Sequence, residues 1–139
     1  MNWTLILKLS LFGLAMAIAT VFWIPSRIEP LFWLVIFIIC SYFIATKCRD
    51  KHFLHGFMVS IFNSIWITGA HISFFEPYLA NHPDEVQMMA SMAMTDSPRL
   101  MMLIVGPVFG AGFGLILGLF AFVAGKLVRR PSTNLKPNP

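Results

Sequence analysis

The sequence predicts an all-α integral membrane protein: a four-helix antiparallel bundle with both termini cytoplasmic and a short extracytoplasmic interfacial helix between the third and fourth spans. Three observations predict it. Of 139 residues, 58% are hydrophobic and only 12% are charged, about half the charged fraction that a soluble domain carries. Four apolar runs stand between short polar connectors, each run near the roughly 20 residues that cross a bilayer. The basic residues gather in alternate connectors, which sets an orientation. At this length almost nothing is left for a separate catalytic or nucleic-acid-binding module, so the net charge of +4 is read as topology. The expectation is a single transmembrane domain over residues 1–131, followed by a proline-rich cytoplasmic tail, 132–139, that has too little apolar surface to fold.

The first run, residues 3–24, is broken only by Lys8, Ser10 and Thr20, and as a helix it reaches about 33 Å. Ala15-Met16-Ala17 resembles a cleavage site, but Lys8 lies inside the run and no basic segment precedes it, so a retained span is expected. Pro25-Ser26-Arg27-Ile28-Glu29-Pro30 reads as a tight turn between helices. The second span, residues 31–46, is short, so it is expected to borrow residues from the turn or to lie in a locally thinned membrane, and it ends at the basic connector Lys47-Cys48-Arg49-Asp50-Lys51. The third covers 53–75, and Glu76-Pro77 stops it. An interfacial helix around 84–94 follows, with Asn81 or His82 as cap, Pro83 in the first turn, and Asp84 and Glu85 against the positive end of the dipole. The last span, 100–128, starts in the same way, with Asp96 or Ser97 before Pro98.

Seven of the ten basic residues (Lys47, Arg49, Lys51, Lys126, Arg129, Arg130 and Lys136) fall in the second connector or at the C-terminal end. The positive-inside rule then puts both termini in the cytoplasm. Five of the six acidic residues lie on the opposite side. Compactness, and the lack of eukaryotic targeting signals, point to a bacterial inner membrane. Cys40 and Cys48 would be about 12 Å apart along a helix, beyond disulfide reach.

Three constellations are candidates for function. In the last span Gly106, Gly110, Gly114 and Gly118 recur every four residues and share an arc of about 120° with Ala121 and Gly125. Such a bare face lets another helix approach closely, as a glycine-zipper packing surface within the bundle or between copies. In the third span Ser60, Asn63, Ser64, Thr68 and His71 form a polar stripe, which Glu76 extends as a possible transport path. The stripe is expected to meet the glycine face, where Asn63 and Ser64 could reach backbone carbonyls. Outside the spans, His82 with Met88, Met89 and Met92 offers imidazole and thioether ligands, a set that suits Cu(I). Flexible methionines packing at the membrane surface explain the same residues.

No GxSxG, HExxH or P-loop pattern is present, so the chain reads as non-enzymatic, with no cofactor expected unless copper binds the methionine segment. The leading expectation is a protein that acts through helix-helix contacts, as a homo-oligomer or as a subunit or accessory factor of a larger membrane assembly. Its partners would be the lipid bilayer and itself or another membrane protein, with no nucleic acid. The alternative is a transporter or channel for a proton, a metal ion or a small solute.

Overall fold

The computed structural model describes residues 1–91 and 97–128. These form six helices, and no strand occurs among them: α1 Trp3–Phe22, α2 Glu29–Lys47, α3 His52–Ser73, α4 Phe75–Asn81, α5 Pro83–Ala90 and α6 Pro98–Leu127. Four of them, α1, α2, α3 and α6, are long and apolar enough to cross a membrane. The expected tail, together with Arg129, Arg130, Lys136, Met92, Met94 and Asp96, lies outside the described residues.

Prolines set several boundaries, and here the structure departs from the expectation. Pro30 does not end a turn; it sits in the first turn of α2, where a missing N–H breaks no intrahelical bond. The second span therefore begins at Glu29, and Trp33 Nε1, one turn on, donates to Glu29 Oε1 at 3.0 Å. Pro77 behaves similarly. Helix α3 stops at Ser73, and Glu76 and Pro77 fall in the first turn of the short helix α4, which the sequence reading did not anticipate. Helix α5 begins at Pro83 and ends at Ala90, shorter than expected. Neither proposed cap serves it through its side chain. His82 stands at the cap position without a side-chain cap bond, and Asn81 instead donates from Nδ2 to the Val21 carbonyl at 2.7 Å.

Helix α3 is the central element, packed chiefly on α6 and then on α1, while α2 covers another side of α6. One end of the bundle is tied by His55, which is buried. Its Nδ1 hydrogen-bonds the Lys51 carbonyl at 2.8 Å, and its Nε2 accepts from the Asn2 backbone N–H at 2.9 Å. A Cβ built on Gly125 would lie 2.7 Å from His52. The starts of α1 and α3 and the finish of α6 thus share one end. The core runs through Ile6, Leu9, Met16, Ile36, Phe37, Ile44, Val59 and Leu117. Phe37 presents its ring at 6.2 Å to both Phe113 and Phe120, edge-on in each case, so these two phenylalanines seat α2 as well as facing outward. Cys40 and Cys48 are buried and not joined in a disulfide.

Candidate functional site

The glycine row of α6 receives α3 of the same chain. A Cβ on Gly106 would collide with Thr68, one on Gly110 with Ser64, one on Gly114 would come within 2.9 Å of Phe57, and one on Gly118 within 2.8 Å of Phe53. Positions rise along one helix as they fall along the other. The approach is reciprocal, because a Cβ on Gly56 of α3 would lie 2.7 Å from the Leu117 carbonyl oxygen. Ala121 is fully buried in the same seam. Helices this close gain dispersion contacts along their length, the main cohesive term where surrounding lipid removes any hydrophobic drive.

The polar stripe divides between two neighbours. Ser60 donates from Oγ to the Gly110 carbonyl at 3.0 Å, the contact that was expected of Asn63 and Ser64. Ser64 turns back to its own helix and donates to the Ile61 carbonyl at 2.8 Å. Asn63 lies 100° round the wheel from Ser64 and faces α1, where its side chain occupies the space a Cβ on Gly13 would need. Asn63 is buried, and neither its Oδ1 nor its Nδ2 has a hydrogen-bond partner. Nearer the other end of α3, His71 Nε2 is hydrogen-bonded to Thr20 Oγ1 at 3.2 Å.

Between α2, α3, α5 and α6 lies a cavity of about 410 Å³, within the usual size range for small-molecule sites. Its walls are largely apolar, with Trp33, Phe37, Phe109, Phe113 and several methionines contributing. The whole predicted stripe lines it: Ser60, Asn63, Ser64, Thr68 and His71. Glu76 does not. It is exposed on α4, and the carboxylates at the cavity are Glu29 and Glu85. At the cavity the acidic residues are thus Glu29 and Glu85 in place of the expected Glu76.

At the Glu29–Glu85 end of the cavity the rings of His71, Tyr78 and His82 stack in series, with centroids 3.9 Å and 4.4 Å apart. The Tyr78 hydroxyl donates to Glu85 Oε2, and Ser26 Oγ donates to Glu85 Oε1 at 3.2 Å. Burial, and then the hydrogen bond to the Glu85 carboxylate, push the Tyr78 hydroxyl well above the ordinary tyrosine range.

The predicted metal set is rearranged. His82 is buried and grouped with Glu29 and Glu85, one ligand-capable atom of each lying within 4.8 Å of the others. Met88 and Met89 line the cavity wall, and Met92 is outside the described residues. The gathered donors are imidazole and carboxylate, not the thioethers that copper would select. Glu29, Trp33 and Tyr78 were missed because Glu29 reads as turn, Trp33 as an apolar span residue and Tyr78 as loop, and Glu85 reads only as an acid at the start of the interfacial helix. The available signal was the run Tyr78, His82, Glu85, whose i, i+4, i+7 spacing holds one face only if the chain stays near-helical through Asn81. Comparison of the chain with protein-family profiles, with curated proteins and with solved structures finds no match.

Proposed function

We propose that this chain is a four-span antiparallel bundle of a bacterial-type inner membrane, with both termini cytoplasmic, that binds a small solute and passes it through the membrane. The solute has an apolar body and a hydrogen-bonding head. The observation that carries this reading is the cavity: an apolar-walled space of about 410 Å³ into which the polar stripe of α3 converges. In hydrocarbon, polar side chains beside an open space mark a path or a binding site. The basic connector holds Lys47, Arg49 and Lys51 at the end of the bundle opposite Glu29 and Glu85, so on the positive-inside rule the Glu29–Glu85 end of the cavity lies toward the outer side.

The competing reading, in which the glycine face acts as a seam between copies or with a partner subunit, loses its surface because α3 fills that face. An assembly would have to use another side of the bundle.

The test is saturable binding of a lipophilic amine dye to the protein in nanodiscs. Val105 lines the cavity, and Val105→Trp should weaken binding about tenfold or more, a loss of roughly 1.4 kcal/mol. Leu119, 56% exposed on the outer side of α6, is the control, and Leu119→Trp should leave binding unchanged. Equal binding by the two variants, or no binding above protein-free nanodiscs, would end the proposal.

A further inference from the structure

Glu29 opens α2, His82 follows α4, and Glu85 lies in the first turn of α5. Two stretches of chain more than fifty positions apart thereby present two carboxylates and one imidazole to a common point, with the ligand-capable atoms all within 4.8 Å of one another. His82 is 1% exposed. Its Nδ1 lies 3.0 Å from the Tyr78 carbonyl oxygen, and because a carbonyl only accepts, Nδ1 carries a proton, which leaves Nε2 as the nitrogen that could serve as a ligand. That nitrogen is buried without a hydrogen-bond partner. An unpartnered buried ring nitrogen on a histidine grouped with two carboxylates is a donor set that a cation can take up.

The surroundings hold the three groups in place. Trp33 Nε1 donates to Glu29 Oε1 at 3.0 Å. Ser26 Oγ and the Tyr78 hydroxyl each donate to a different oxygen of Glu85. A histidine whose second nitrogen is bound to a backbone carbonyl, beside carboxylates with their own donors, is the outer-shell pattern that orients metal ligands. The carboxylate oxygens retain lone pairs after accepting these bonds.

We propose that Glu29, His82 and Glu85 form a binding site for a divalent transition-metal cation of the zinc type. Imidazole nitrogen and carboxylate oxygen are both donors that zinc accepts, and three protein ligands leave a fourth position open. Magnesium and calcium favour all-oxygen shells, and Cu(I) favours sulfur. Ligands about 2.0–2.1 Å from zinc lie roughly 3.4 Å from one another, so the groups need close by only an ångström or so. Two carboxylates balance the cation's charge, leaving the site neutral beside lipid. The ion would also pin the start of α2 to the α4–α5 junction. The inference is independent of the solute reading, since it concerns equilibrium metal binding with no solute or flux involved.

The test is titration of the purified full-length protein in nanodiscs with Co²⁺, whose d–d absorption reports its coordination, followed by displacement with Zn²⁺. One Co²⁺ should bind per chain, and Zn²⁺ should abolish its visible band and raise the thermal midpoint. The near-isosteric variants Glu29→Gln and Glu85→Gln should each weaken binding by at least about 100-fold, the upper end of what losing an outer-shell partner costs. The double variant Met88→Leu/Met89→Leu should bind as wild type. His82→Gln serves as a third arm where circular dichroism shows that its helices are intact, and the two glutamate variants carry the test without it. No saturable binding to the folded protein, binding retained in Glu29→Gln/Glu85→Gln, or binding lost in the methionine variant would overturn the assignment.

Discussion

Ser60 of α3 donates a hydrogen bond to the backbone carbonyl of Gly110, 3.0 Å away on α6. The contact is possible only because position 110 has no side chain. A Cβ there would strike Ser64, one turn further along α3. Ser60, Ser64 and Thr68 of the stripe and the glycine row are therefore two halves of one seam, and the seam forms one side of the cavity.

The two halves contribute unequally. Ser60→Ala removes one interhelical hydrogen bond, which within membranes averages about 0.6 kcal/mol. Gly110→Leu must separate the helices or displace Ser64, and overpacking of that kind costs about 1–3 kcal/mol and occasionally more. Reversible unfolding in mixed micelles should rank Gly110→Leu far below Ser60→Ala, and comparable losses would mean that the helices do not meet at Gly110.

Asn63 should be a functional residue that costs stability. Its amide is buried without partners, an arrangement worth about 1–3 kcal/mol of destabilisation. Asn63→Leu, close in volume, is predicted to leave the bundle equally stable or to stabilise it by about 1 kcal/mol, while weakening dye binding. Gly13→Leu, which collides with the same side chain, should destabilise it. Parallel unfolding and dye titrations check the pair.

Tyr78 predicts an alkaline limb to stability. The folded protein holds its hydroxyl protonated above the ordinary range, by burial and by Glu85, whereas the unfolded chain ionises near pH 10. Above that pH the unfolded state binds fewer protons than the native state, so stability falls as pH rises. It is fully present below about pH 10. The slope between about pH 10 and 12 should be steeper for wild type than for Tyr78→Phe, which has no proton to lose. Equal slopes in chemical denaturation would show that the Tyr78 environment is not retained.

Much of the bundle is legible in the sequence, for reasons that do not extend to the site. Apolar runs mark helices because lipid demands them, and the four-residue glycine spacing marks a face because only backbone is present there. Proline is ambiguous: the same residue ends one helix and suits the first turn of the next, so Pro30 concealed the start of α2 and Pro77 concealed α4. Glu29 and Tyr78 belong to those concealed segments, and their convergence with Glu85 depends on how α4 and α5 bring their side chains to the start of α2. Asn63 was legible as a buried polar residue, but its neighbour was not, because the wheel gives its direction without saying that α1 lies there.

The central claim is that water and solutes reach the middle of α3 from the outer side of the membrane. Thr68, buried at Gly106 and lining the cavity, reports on it directly. In a Cys40→Ala/Cys48→Ala background, Thr68→Cys is treated with a membrane-impermeant maleimide from the outer face of right-side-out vesicles. Labelling is predicted, with blockage by Val105→Trp, while Ile65→Cys, 57% exposed on the outer surface of the same helix, should resist because lipid excludes the reagent. A folded Thr68→Cys protein that stays unlabelled, or that labels equally when Val105→Trp is present, would contradict the account.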